Sequence, residues 1–551
     1  MKAVRGVIVT LLAGMMVFPA LLGSAGAAPA LGASGRPATF PGGFKHLVVI
    51  YEENHSFDNL YGDWGKVGRD TVDGLQNATA GRTTQVAQEG TPYSCLLQND
   101  VNLTTPPLPG TCSDSHDVYN SNGSVTQGFS SHFPNQPFLI DDYIAPEDTT
   151  CPAPGASAPN GVPNGSGLPG GCTRDLVHRF YQEQYQLNGG QQNRYVTGSD
   201  AVGLTMGVYD TKQLPVYKYL HSKGAPRYVV ADRFFQAAFG GSFLNHQWLI
   251  SARTPLDTGG ATPKALNSLV DINGMPISYP LYKPPAGSVV RDAPLTVECP
   301  GTTANNYEAA CGDYAVNTTQ PSSPPARPDA ASKIPLIDDS QYPNIGDRLS
   351  EAGVSWNWYA GGWDRVNADP DSAKLFQYHH QPFVYFADYA PGQPGRAHLQ
   401  DETDFETAIA NGTLPQVSFV KPYGEENEHP GYASEPDGSS HLVDLLRQIT
   451  EGPQAGNTLI VVTYDEFGGQ WDHVPPPGMA GTPGVHDKWG PGTRIPALVI
   501  GRSLTRSGVD HTTYDTTSIL ATIERSLGLA PLSSRDAEVN DLSNAVAVGG
   551  R

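Results

Sequence analysis

The chain has 551 residues, 38% of them hydrophobic and 16% charged, which is enough apolar material for a large folded core and excludes a chain disordered as a whole. Acidic residues outnumber basic ones 55 to 34, a formal net charge of -21, and such a surface repels nucleic-acid backbones and anionic membranes. A small anionic substrate is not excluded, because a bound cation reverses the local field.

Residues 1–28 read as a secretory signal peptide: Lys2 and Arg5 give the positive start, Val7 to Leu22 the apolar stretch, and Ser24 to Ala28 the small-residue cleavage site. No later stretch is long and apolar enough to span a bilayer, so a secreted or extracytoplasmic protein without stable membrane insertion is expected. Six cysteines agree with export. They fall as three close couples in loop-like sequence, and nearest-neighbour pairing predicts Cys95–Cys112, Cys151–Cys172 and Cys299–Cys311; no C-x-x-C spacing favours zinc.

His46 to Tyr51 is a short apolar, β-branched run that predicts a buried strand, ending in Glu52-Glu53-Asn54. Residues 65–175 are polar and turn-rich and read as an insertion. Leu176 to Leu187 predicts a helix that His178 opens, and Arg227 to Val230 a strand. Residues 253–340 have little periodicity and read as a second insertion, a cap over the site. Val354 to Tyr359, Gln416 to Val420, Thr458 to Thr463 and Ile495 to Ile500 predict further strands, and Tyr514 to Leu527 a helix. Strands alternating with helical segments predict an α/β fold: a mainly parallel central sheet with helices on both faces, within one domain over about residues 44–540. Ligands of such sheets bind beyond the carboxyl ends of the strands.

That rule gives three features their meaning. First, two strands far apart in sequence end in acids, Glu52-Glu53 and Asp465-Glu466. If they are neighbours, their carboxylates meet and repel unless protonated or bound to a hard divalent cation; either cluster alone reads better as solvated acids at a strand end, and it is the two together that point to a metal. Second, Gly240-Gly241 lets the backbone turn tightly into Ser242 at a helix start, a place for a phosphate and for an activated nucleophile, or simply for an N-cap. Third, His178, His379, His380, His429 and His473 can bind phosphate oxygens, protonate a leaving group or bind metal, although any single histidine is more often a surface or core residue.

Taken together, Glu53-Asn54-x-Ser56-Phe57-Asp58, Asp232-x-Phe234-Phe235, Gly-Gly-Ser242-x-x-Asn245-His246, His379-His380, His429-Pro430-Gly431 and Tyr464-Asp465-Glu466-x-Gly468-Gly469-x-x-Asp472-His473 resemble the bacterial phosphoesterase family, in order, over about residues 44–530. That family holds non-haemolytic phospholipases C and exported acid phosphatases, within the alkaline-phosphatase-like superfamily. The resemblance implies a divalent metal of unspecified identity on Glu53, Asn54, Ser242, Asp465 and Glu466. It implies Ser242 as nucleophile and phosphate or leaving-group contacts from His178, His379, His380, His429 and His473. Gly-Gly-Ser242 resembles the acid-phosphatase branch more than the threonine context of the phospholipases C. The expected function is therefore hydrolysis of a small phosphomonoester through a phosphoserine. The alternatives are a phospholipase C and a non-catalytic extracellular binding protein that keeps the fold.

Overall fold

The structure is a computed structural model that describes residues 39–97, 112–119, 125–131, 133–143, 175–199, 202–257, 292–296, 310, 312–327 and 333–551. The expected signal peptide and the couples Cys151–Cys172 and Cys299–Cys311 lie outside the described residues. The third expected couple is bonded: Cys95 and Cys112 form a disulfide across 5.7 Å between Cα atoms. No helix among the described residues is long and apolar enough to cross a membrane.

Eight strands make the central sheet: β1 (His46–Glu52), β2 (Arg227–Ala231), β3 (Trp356–Ala360), β4 (Leu399–Asp401), β5 (Val417–Lys421), β6 (Thr458–Tyr464), β7 (Ala497–Gly501) and β8 (Gly508–Asp510). Their spatial order is β4-β3-β5-β1-β6-β7-β2-β8. All neighbours run parallel except β7, which is antiparallel to β6 and β2. Every residue of β6 and all but the first of β1 are buried, so both faces of the sheet are covered, as their unbroken apolar runs require. Six helices recur below: α1 (Phe57–Tyr61), α2 (Phe180–Leu187), α3 (Ser242–Ser251), α4 (Glu402–Asn411), α5 (Glu435–Glu451) and α6 (Thr517–Leu527). α3 packs against α6, and α4 against α5.

Register decides what meets at the carboxyl edge. β1 and β6 pair from His46↔Thr458 to Glu52↔Tyr464, and the Asp465 N–H continues the ladder to the Glu52 carbonyl at 3.1 Å. The two acidic strand ends are thus set side by side, Glu53 beside Asp465. The single antiparallel strand has its own effect: β7 begins where its neighbours end, so the residues just before it, Arg494 among them, are delivered to the same edge.

The described parts of the two insertions add no strand to this sheet. They form separate two-stranded ribbons, including Cys112–Tyr119 against Val125–Ser131. The second insertion is tied to the core at two points: the Asn317 side chain accepts from the Phe180 N–H at 3.1 Å, and the Tyr385 hydroxyl donates to the Thr319 carbonyl at 2.8 Å. Two sequence expectations shift. The expected helix at Tyr514 starts at Thr517, because Tyr514–Asp515 pairs as a strand with Phe234–Phe235. The helix expected from Leu176 starts at Phe180, so His178 lies in extended chain ahead of it.

Candidate active site

Ser242 is the first residue of α3, with Gly241 at the N-cap in extended conformation. The side chain therefore does no capping. Its hydroxyl points to the acidic edge, 3.3 Å from Glu466 Oε1 and 3.5 Å from Asn54 Oδ1. The turn before it needs glycine twice. Gly240 has φ +89° and a Cβ there would sit 2.8 Å from the Phe180 nitrogen; a Cβ on Gly241 would press on the His178 ring at 2.9 Å. Buried Glu183 fixes the turn by accepting from the Gly240 N–H at 2.6 Å and the Thr493 N–H at 2.7 Å; burial raises its pKa to about 7.

Glu53, Asn54, Asp465 and Glu466 are all fully buried within this edge. Asn54 takes the left-handed conformation, φ +63°, rare outside glycine. Its N–H donates to Asp465 Oδ1 at 3.2 Å and its side-chain amide meets His429 Nε2 at 2.8 Å. Glu466 is gripped by the Gly468 N–H, and its other oxygen is 3.3 Å from His178 Nε2. Glu53 pairs with His380, with Lys421 Nζ at 2.8 Å and with His429 Nε2 at 3.5 Å. His379 belongs to the same group: ligand atoms of Glu53, His379 and His380 lie within 4.8 Å of one another. A cavity of about 300 Å³ opens over the nucleophile, walled by Ser242, His178, His379, His429, Asp175 and Tyr432 among others.

The electrostatics are lopsided. Burial pushes the Glu53 carboxyl up, but His380 and Lys421 outweigh it and hold the group well below the usual carboxylate range. Asp465 has weaker support, His246 Nδ1 at 3.7 Å and the more distant Lys421, and burial and the Glu53 charge outweigh it and push its pKa to about 8. Glu466 is likewise raised, by burial and then by Asp465. Asp465 Oδ2 and His246 Nε2 are buried with no hydrogen-bond partner. Ligand atoms of Glu53, His246 and Asp465 also lie within 4.8 Å of one another. Buried carboxylates that resist ionising together, with an orphaned oxygen, fit a divalent cation.

Nine of the ten residues singled out in the sequence thus gather around Ser242. His473 does not. Its Nδ1 meets Asp58 Oδ2 at 2.6 Å and its Nε2 is 3.4 Å from Asp73. Arg494 completes that cluster, 3.0 Å from Asp58 Oδ1 and 3.1 Å from Asp472 Oδ1. Although burial opposes the charge, Asp58 and Asp73 hold the His473 imidazolium, with a pKa of about 9. His473 follows the strand that carries the site, but the chain has by then turned into a separate, internally neutralised network.

Three residues at the edge receive no role in the sequence reading, although His246 stands in the Gly-Gly-Ser242 motif. Lys421 ends the apolar run of β5 as the acids end β1 and β6, a signal the same strand-end rule would have caught. Burial and long-range bonding, which sequence does not display, reveal the other two. Glu183 holds the nucleophile turn; His246 lies 2.7 Å from the Ser242 carbonyl through Nδ1 and stacks on His380 with ring centres 5.4 Å apart.

Comparison with known proteins identifies the family. The profile described as Phosphoesterase family matches residues 44–530. Phospholipase C B of Mycobacterium tuberculosis is 25% identical over 461 residues, covering 78% of this chain and 75% of that protein. A probable acid phosphatase of Kluyveromyces lactis is 23% identical, covering 44% of this chain and 55% of the other. Among solved structures, an alkaline phosphatase superfamily protein from Vibrio parahaemolyticus aligns over 35% of this chain and 50% of its own at 14% identity and a TM-score of 0.21. The chain belongs to the Phosphoesterase family and is an enzyme acting on phosphate ester bonds.

Proposed function

We propose that this enzyme is an exported phosphatase that hydrolyses small phosphomonoesters with Ser242 as its nucleophile. The observation that carries the reading is the Ser242 hydroxyl at a helix start, 3.3 Å from Glu466, on the wall of a cavity it shares with His178, His379 and His429. Glu53, Asn54, Ser242, Asp465 and Glu466 are the residues that would hold a divalent cation, which when bound supplies positive charge to the phosphoryl oxygens and favours the ionised serine.

The chain's own groups do the rest. The N-terminal amides of α3 face the phosphoryl group and His178 donates to its oxygens, while His429, which donates through Nδ1 to the Pro430 carbonyl and accepts from the Asn54 amide at Nε2, holds Asn54 in place on the cavity wall. Ser242 Oγ attacks phosphorus, its proton leaves to the acidic edge, and the bond to the leaving oxygen breaks. His379 lines the cavity, whereas His380 is engaged by Glu53, so His379 is the group placed to protonate the departing oxygen. Burial, then neighbouring His380, hold the His379 pKa well below its ordinary value; a bound phosphate's negative charge raises it when the acid is needed. Water then attacks the phosphoserine from the vacated side and releases phosphate. Two rates test this: hydrolysis of p-nitrophenyl phosphate, and formation of acid-stable phosphate on Ser242 in quenched reactions. Turnover with no label on Ser242 overturns the covalent route.

A second reading, phospholipase C, is favoured by the name of the relative that covers 78% of the chain. Headgroup release from phosphatidylcholine at a higher kcat/KM than p-nitrophenyl phosphate hydrolysis would establish it instead.

A further inference from the structure

The cavity wall above Ser242 carries two arginines from separate parts of the chain. Arg179 adjoins His178, immediately before α2; Arg327 lies in the second insertion, at the end of its described stretch 312–327. Among the described residues, neither guanidinium has an ion-pair or hydrogen-bond partner. That is notable where carboxylates outnumber cations 55 to 34 and where Arg494 and Arg535, also near this edge, are each paired with acids. Hydrogen bonds tie down the chain at Arg179 and link it to the insertion that carries Arg327. The Arg179 N–H donates to Gln182 Oε1 at 3.0 Å, and Asn317 anchors the insertion to the next residue, Phe180. Arg327 carries its charge beside Tyr432, whose ring stacks on His429 with centres 3.8 Å apart. The carboxylate on the same wall, Asp175, is 3.4 Å from His178 Nδ1.

The geometry points to a substrate whose leaving group bears a second anionic group, a phosphate or a carboxylate, received by Arg179 and Arg327 while Ser242 takes the first phosphate. The inference rests on the phosphomonoesterase reading and adds the substrate class. Guanidinium forks match both anions bidentately. The same two charges repel a cationic leaving group such as choline. The insertion thus acts as a specificity wall: it brings no group to phosphorus but decides what is attached to it.

Matched substrates isolate the second charge. The full enzyme is assayed on 3-phosphoglycerate against glycerol 3-phosphate, on glucose 1,6-bisphosphate against glucose 6-phosphate, and on phosphocholine. Expected is a kcat/KM ratio of about 10 or more for the anionic member of each pair, carried mainly by KM, with phosphocholine slowest. The ratio falls at least about fivefold in Arg327→Gln, further in Arg179→Gln/Arg327→Gln, and partly returns in Arg327→Lys. A preference in only one pair assigns the wall to phosphate or to carboxylate. Arg327 is exposed, so the single variant folds. Turnover of glycerol 3-phosphate with ratios near 1, or ratios unmoved by Arg327→Gln, overturns this inference alone. No turnover of any phosphomonoester overturns the phosphatase reading and this inference with it.

Discussion

Two buried clusters of acids and histidines lie along the same sheet edge and are cut from the same two segments of chain. Glu53 and Asn54, with Asp465 and Glu466, face Ser242; a few residues on, Asp58 with Asp472 and His473 face Arg494. In the second cluster each carboxylate meets a cation. In the first, Lys421 serves Glu53, while Asp465 and Glu466 stay reluctant to ionise and Asp465 Oδ2 is orphaned. A buried carboxylate must be paired, protonated or bound to a cation from outside. The contrast separates a cluster that completes itself from one completed by a ligand, and each should fail in its own way when altered.

The largest effect is expected at the nucleophile. Ser242→Ala should lower kcat by about 10³-fold or more, because the covalent route is lost altogether. Gly241, not Ser242, is the cap residue of α3 and no side-chain cap exists there, so the melting temperature should barely move. A folded variant with near wild-type kcat would move the search to another nucleophile.

Metal removal should come next. Chelation should lower turnover by about 100-fold or more, and a divalent ion should restore it. The comparison sharpens in the metal-free state. Asp465→Asn replaces a carboxyl that burial already keeps reluctant to ionise and should leave unfolding free energy within about 1 kcal/mol of wild type, or raise it. Asp472→Asn strips Arg494 of an acid and should destabilise. Equal losses in urea titrations of the two variants would erase the distinction between the clusters.

Arg494→Leu tests the completed cluster directly. It leaves Asp472 buried without a cation and Asp58 with His473 alone, and frees the carbonyls of Asp73 and Asp232, so a cost of about 3–5 kcal/mol is expected. Arg494→Lys, which keeps the charge but loses the fork, should cost less. Among molecules that remain folded, kcat should change little; loss of kcat without loss of stability would place Arg494 in the chemistry.

How far sequence reached follows from the same physics. An apolar β-branched run announces a buried strand and where it stops, so β1 and β6 and the acids at their ends were legible, as was the convergence rule that joins them. A run carries no direction, so the reversal of β7, which delivers Arg494, was not. Three-residue strands such as β4 and β8 are too short for periodicity to mark. The helix α5 also went unread, although Ser434 caps it by accepting from the Asp437 N–H, because Pro436 and Gly438 weaken its opening pattern. His473 falls away from Ser242 because nearness in sequence to Asp465 stands in poorly for nearness in space: a five-residue turn, 467–471, separates the two clusters.

His473 itself supplies the smallest effect and the one with a pH signature. Its folded pKa, about 9, stands above the roughly 6.5 of an unfolded histidine, so the folded state binds its proton more tightly. The stability this provides is fully present below about pH 6.5 and is lost as pH rises through 9. Asp58 works from the other side: its pKa is lowered, burial being outweighed by His473 and Arg494, so its contribution is lost as pH falls through the acid range. His473→Gln should therefore cost roughly 2 kcal/mol near pH 6 and progressively less toward pH 9–10, where the wild-type imidazole is itself neutral. Urea unfolding of both proteins at several pH values measures the gap. If His473 instead served phosphoryl transfer, the gap would be flat with pH and kcat would fall, and the boundary between the two clusters would have to be redrawn.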